Sequence, residues 1–127
     1  MKKWVIVLLP FSPILCFGMT GNNLLENCDA LLDVMTKSGY VFFNQQGIDQ
    51  SSKAGMCIGY MDAIADYNSM HVYMHTNNII YCPPANVTKE QNIRIVDKYL
   101  HEHPESLNVD AEILATIALK TTFPCKT

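Results

Sequence analysis

The sequence predicts an all-α fold, a compact bundle of about four helices stapled by two disulfides. Two observations carry this. Four stretches place apolar residues at helical spacing, each bounded by a capping residue or a breaker. An N-terminal leader, once removed, leaves an even set of cysteines, Cys28, Cys57, Cys82 and Cys125. In an exported chain that arithmetic points to disulfides.

The leader is read over residues 1–18. Lys2 and Lys3 precede an apolar run from Trp4 to Phe17, the charged start and apolar centre of a secretory signal. Gly18, with the small Cys16 two positions before it, suits cleavage ahead of Met19. The apolar run is 14 residues long and is interrupted by Pro10 and Pro13. A spanning helix needs about 20 residues, so no membrane association is expected after cleavage. Pro13-Ile14-Leu15 lacks the small residue that a lipid-modified cysteine at position 16 would want. Residues 19–127 then form a single domain.

Removing Lys2 and Lys3 moves the formal charge from −3 to −5. An acidic domain without a basic run excludes nucleic acid as an expected partner. It leaves room for a basic protein partner, although net charge alone selects none.

Residues 19–23 read as a frayed start. Leu24, Leu25, Cys28, Leu31, Leu32 and Met35 then follow helical spacing, with Asn22 or Asn23 as cap and Gly39 as stop. Tyr40, Phe42 and Phe43 have strand-like residue types but no pairing partner. Residues 39–50 are therefore expected to be a packed loop or a helical continuation.

Ser51 or Ser52 opens the second helix, whose apolar face is Ala54, Cys57, Ile58, Met61, Ile64 and Ala65. Gly55, Gly59 and Ala63 recur every four residues. Two glycines weaken a helix, so close approach of another backbone is the expected compensation. The helix is expected to break at Asn77-Asn78.

The third helix starts at a capping box, Thr88 with Gln91, and has Glu90 in its first turn. Its buried stripe is Ile93, Val96, Tyr99 and Leu100. Asn86-Val87-Thr88 is also a glycosylation sequon, but the cap explains Thr88 without it. A turn around Pro104 leads to the fourth helix, capped by Asn108, facing inward with Ala111, Leu114, Ala115, Ala118 and Leu119, and stopped by Pro124.

Four cysteines allow three pairings. A helical hairpin brings its outer ends together, which favours Cys82–Cys125 and leaves Cys28–Cys57.

Chemistry-bearing patterns are sparse. Asp62 and Asp66 lie one helical turn apart, which more often marks a solvated face than an acid–base pair. His71 and His75 have zinc-ligand spacing without a third ligand, and a solvated or capping role fits them better. No nucleophile elbow, phosphate loop or CxxC motif occurs. No catalytic residue, cofactor or metal is expected, and the chain reads as a binder.

An ordered series of short motifs goes further. It runs Cys82-x-Pro84, Val87-Thr88-x-x-Gln91, Val96-x-Lys98-Tyr99-Leu100, His103-Pro104-Glu105-x-Leu107, Ala111, Ala118-Leu119 and Phe123-Pro124-Cys125. Together these resemble the signature of the Tai/Rap family, immunity proteins against type VI secretion amidase effectors. Cys57-x-Gly59-Tyr60 with Asp66 is similar to the family's glycine–tyrosine segment. The resemblance runs from about Leu24 to Cys125. Asn108 departs from it, standing where a histidine is common, and residues 67–81 depart from it as well.

The resemblance implies a periplasmic protein that acts as a homodimer. Its partner would be a peptidoglycan amidase effector, a papain-like cysteine peptidase, whose active-site cleft it occludes to protect producer and kin. The expected cleft-entering element is His101, Glu102, His103, Pro104, Glu105 and Ser106, at the far end of the hairpin from Cys82–Cys125. Tyr73 and Tyr81 form a second expected surface, being residue types common at binding hot spots. Two competing readings are an acid-activated periplasmic chaperone and a secreted hydrolase, which would need a free thiol.

Overall fold

The computed structural model describes residues 18–37 and 45–126. The leader before Gly18 and the aromatic stretch at residues 40–43 lie outside the described residues.

Among the described residues the fold is made of four α-helices: α1 Gly21–Thr36, α2 Gln45–Tyr73, α3 Lys89–Glu102 and α4 Ala111–Thr122. A short 3-10 turn, Pro104–Ser106, joins α3 to α4. No strand occurs among the described residues, and the all-α expectation holds.

The helices form two antiparallel pairs that share one core. Cys28 joins Cys57 across α1 and α2, with Cα atoms 5.0 Å apart. On the same seam Lys53 reaches Glu26 at 2.8 Å, and Gln50 donates to Asp33 at 2.7 Å. Cys82 joins Cys125 at the open end of the α3–α4 hairpin, with Cα atoms 4.9 Å apart. Beside that bridge the Cys82 amide donates to the Phe123 carbonyl at 2.9 Å. Both expected pairings are therefore present. Closing loops of these spans, 29 and 43 residues, restricts the unfolded chain enough to stabilise by about 3–4 kcal/mol each.

The core is fully apolar at its centre. Leu24, Cys28, Cys57, Val96, Leu100, Ala111, Ala115 and Leu119 are completely buried. The stripe expected on α4 is buried in full. On α1, Met35 falls outside the core, and on α2 so does Ile58.

Several boundaries differ from expectation. Residues 19–23 are not frayed. Thr20 is the N-cap of α1 and exchanges hydrogen bonds with Asn23 in a reciprocal box, so neither Asn22 nor Asn23 is the cap. The α2 helix begins by Gln45, a full turn before Ser51, whose hydroxyl instead donates back to the Gly47 carbonyl at 2.8 Å. It ends at Tyr73, ahead of Asn77. The N-cap of α4 is Asp110, not Asn108. Thr88 does cap α3, accepting from the Gln91 amide at 3.1 Å.

The glycine pattern on α2 has a different meaning from the expected one. A Cβ at Gly55 or Gly59 would meet nothing within 4 Å, so no backbone approaches there. The close approach is at Gly21, where a Cβ would stand 2.5 Å from Leu114 Cδ1 and 3.1 Å from the Leu107 Cα and carbonyl oxygen.

The buried stripe of α2 also runs further than its apolar residues. Ala54, Cys57, Met61 and Ile64 are followed at the same spacing by Asn68 and His71, both buried. Asn68 takes the place of a pairing strand. Its side chain donates to the Tyr81 carbonyl at 2.9 Å and accepts from the Ile80 and Tyr81 amides at 2.9 and 3.2 Å. This docks the chain that leads to Cys82 and lets the Tyr81 ring enter the core.

Candidate functional site

The α3–α4 turn is held from three directions. The helix α3 continues through Glu102, so His101 and Glu102 occupy its last turn and the reversal itself begins at His103. The His103 amide donates to the Leu100 carbonyl at 3.3 Å, and its Nδ1 donates to the Tyr99 carbonyl at 2.8 Å. That places a proton on Nδ1. The imidazole lies on the Tyr99 ring, centroid to centroid 4.0 Å with 19° between planes.

Pro104 then opens the 3-10 turn at a position where a missing N–H costs nothing. The Ser106 amide closes it on the His103 carbonyl at 3.0 Å, and the Val109 amide continues to the Ser106 carbonyl at 2.9 Å.

The third tie comes from the N-terminus of α1. Gly21 and Asn22 amides donate to the carbonyls of Val109 and Leu107, both at 2.9 Å. The Ala111 amide returns the pattern to the Met19 carbonyl at 2.9 Å. Thr20 and Asp110 form an isolated antiparallel bridge. The residues at the start of α1 thus strap the turn, and the absent Cβ of Gly21 is what lets them lie so close.

The six residues expected to enter a cleft fall into two groups. His101, Glu102, Pro104 and Glu105 are exposed, while His103 and Ser106 are half-buried and turned into the local hydrogen bonds. Lys98 and Glu102 lie 3.7 Å apart on the exposed face, a pairing worth little in solvent. Glu102 and Glu105 thus remain available as acidic contacts flanking Pro104.

His101 has a second set of neighbours. Its Nε2 lies 2.8 Å from Asp29 Oδ1 on α1 and 3.9 Å from Asp97 Oδ1 one turn back on α3. Asp97 is mostly buried. Burial, and next the Asp29 carboxylate, push its carboxyl up to about 6. The hydrogen bond to Asp29 holds the His101 imidazolium above its ordinary range.

The second expected surface divides. Tyr73 is 84% exposed, but Tyr81 is only 2% exposed. Tyr81 is therefore a core residue and not a contact. Burial pushes its phenol above the usual tyrosine range. Around Tyr73 the end of α2 presents Tyr67, Met70 and Val72, and Met74 follows in the turn, all about half exposed.

The remaining candidates have structural uses. Asp62 pairs with Lys89 at 2.8 Å, tying α2 to the start of α3. His71 and His75 belong to the C-terminal cap of α2. His75 adopts a positive φ of 51°. Its amide donates to the Val72 carbonyl at 3.2 Å, and the Thr76 amide reaches the His71 carbonyl at 3.1 Å, a Schellman arrangement. Nδ1 of His71 is 2.7 Å from the Thr76 hydroxyl. All four cysteines of the described residues are in disulfides, which leaves no thiol there for the hydrolase reading.

One concave feature escaped the sequence. A groove of about 230 Å³ lies between α2 and α4, lined by Tyr60, Ile64, Tyr67, Ile80, Glu112 and Thr116 among others. Burial first, then Glu112 and Asp110, push the Tyr60 phenol upward. Its lining comes from three separate segments, and no periodicity within one segment announces it.

Among the described residues no helix is long and apolar enough to cross a membrane. No curated protein matches the chain. The family model for Rap1a immunity proteins matches residues 20–125. That span takes in all four helices, both disulfides and the strapped turn, and the chain belongs to the Rap1a immunity protein family.

Proposed function

We propose that the chain is a periplasmic immunity protein that binds a type VI secretion peptidoglycan amidase and occludes its active-site cleft. It does so as a homodimer, and the occluding element is the α3–α4 turn. The observation that carries this reading is the three-way restraint of that turn: the Tyr99–His103 stack, the 3-10 closure at Ser106, and the backbone strap from Met19 to Asn22. An element ordered before binding loses little conformational entropy on entering a cleft.

Pro104 and Glu105 stand at the outer edge of this element, with Glu102 beside them. The carboxylates suit a basic cleft rim, where they would steer encounter and set register more than raise affinity. Both disulfides suit an oxidising compartment, and the apolar leader at residues 1–18 supplies the export route.

The test is co-expression. A type VI secretion amidase, the first choice being any encoded next to this chain, is directed to the periplasm of a sensitive host, with and without the full-length chain. Suppression of lysis, together with co-elution of the two purified proteins, is the expected result. An amidase that still lyses the host and fails to co-elute sinks the reading.

A further inference from the structure

We infer that Asp29, Asp97 and His101 act as one proton-sharing clamp, fastening the outer end of α3 to α1 and closing more firmly as the pH falls.

The geometry brings the three side chains together from two helices. One donor or acceptor atom from each lies within 4.8 Å of the others. The Asp29–His101 hydrogen bond, at 2.8 Å, crosses between α1 and α3. Asp97 projects beneath it from the same face of α3 as His101, one turn earlier. Its side chain is 14% exposed, and its Oδ1 is buried without a hydrogen-bond partner. A buried carboxylate atom left unpaired is costly. Two carboxylates facing one imidazole carry an excess of negative charge that bound protons relieve. Asp97, when protonated, can share its hydrogen with Asp29.

The charged groups facing Asp97 are Asp29 from α1 and His101 and Arg94 from α3. Those facing His101 are Asp29 and Asp97. Arg94 is engaged elsewhere, 2.8 Å from Glu90, so it offsets little of the cluster's charge.

Both groups respond to acid in the same direction. The Asp97 carboxyl, raised to about 6, binds its proton more readily in the folded chain than in the unfolded one. Its contribution to stability is fully present below the ordinary carboxylate range and is lost as the pH rises through about 6. His101 is raised too. Its contribution is present below the ordinary imidazole range and fades as the pH rises through the raised value. As the pH rises through these raised values, two carboxylates are left opposed beside a neutral imidazole, and acid closes the clamp.

The clamp sits at the root of the turn. Any effect on effector binding rests on the function proposed above, whereas the clamp itself is a property of the chain alone. The test accordingly uses no effector. Thermal unfolding of the mature wild-type protein and of Asp97→Asn is followed from about pH 3.5 to about pH 8, running from below the ordinary carboxylate range to above the raised one. Asparagine mimics the protonated carboxyl. The variant is expected to melt higher than wild type at the alkaline end, with the difference shrinking to about zero at the acid end. A difference that stays constant across the range overturns the proposal.

Imidazole NMR supplies a second readout that does not depend on Asp97→Asn folding. The His101 midpoint, assigned with His101→Gln, should lie above the ordinary value of about 6.5 in wild type and drop toward it in Asp29→Asn. A midpoint at the ordinary value that Asp29→Asn leaves unmoved also overturns the proposal.

Discussion

Gly21 packs directly against Leu107. A Cβ on the glycine would stand 3.1 Å from the Leu107 Cα and 2.5 Å from Leu114 Cδ1. This contact sets the distance between the start of α1 and the turn that follows α3. Gly21→Ala should therefore destabilise by about 1–3 kcal/mol through overpacking. Gly55→Ala is the matched control, because its Cβ would meet nothing within 4 Å. There, alanine should stabilise by up to about 1 kcal/mol from helix propensity. Urea unfolding of both variants decides the matter, and equal effects at the two sites would show that the close approach is unimportant.

Asn68 and Tyr81 offer a second test. The Asn68 side chain satisfies three backbone groups of Ile80 and Tyr81 inside or at the edge of the core. Asn68→Ala removes all three hydrogen bonds and leaves buried donors and an acceptor unpaired. The expected cost is about 2–4 kcal/mol, read from chemical denaturation. Asn68→Asp should not rescue it, since a carboxylate cannot donate to the Tyr81 carbonyl.

His75 sits in the left-handed region with φ 51°, at the position where helices commonly carry glycine. Its substitution His75→Gly relieves the Cβ strain while keeping the backbone cap. We expect a gain of about 0.5–1 kcal/mol, seen as a higher melting temperature. A loss of stability would mean that the imidazole makes a contribution exceeding that strain.

The proposed effector contact predicts a separation of affinity from stability. Glu102 and Glu105 are exposed, so converting both to lysine should change the fold's stability by no more than about 0.5 kcal/mol. Binding to the amidase should nevertheless weaken, chiefly through slower association and an altered salt dependence. Pro104→Gly should weaken binding as well, by restoring freedom that the turn now lacks. Surface-plasmon measurements at two salt concentrations check both variants. Wild-type association kinetics in the double variant would move the contact elsewhere, with the Tyr73 end of α2 the next surface to vary.

Much of this molecule was legible in one dimension. Helical spacing of apolar residues located the cores of all four helices, because an amphipathic helix must repeat its buried face every three or four positions. The stripe of Leu114, Ala115, Ala118 and Leu119 is the clearest case. The cysteine pairing followed from hairpin geometry, since antiparallel helices bring Cys82 and Cys125 to the same end.

Reading by hydrophobicity failed where polar residues are buried with their partners. Asn68 and His71 continue the inward face of α2, yet their residue types suggest solvent. The partners that make burial tolerable, the backbone of residues 80 and 81 and the Thr76 hydroxyl, become neighbours only when the chain folds back. Tyr81 was misplaced for the same reason.

What the sequence determined by itself is largely local: helix content, most of the apolar inward positions, the disulfide framework and the family. Those properties depend on residue spacing and on nearest neighbours along the chain. What only the tertiary structure decided is which distant segments touch. Met19 to Asn22 straps the residues after α3, Gly21 admits Leu107, and Asp29 meets Asp97 and His101. Such contacts depend on how helices lie against one another, which the packing of the whole core sets and no single stretch of sequence encodes.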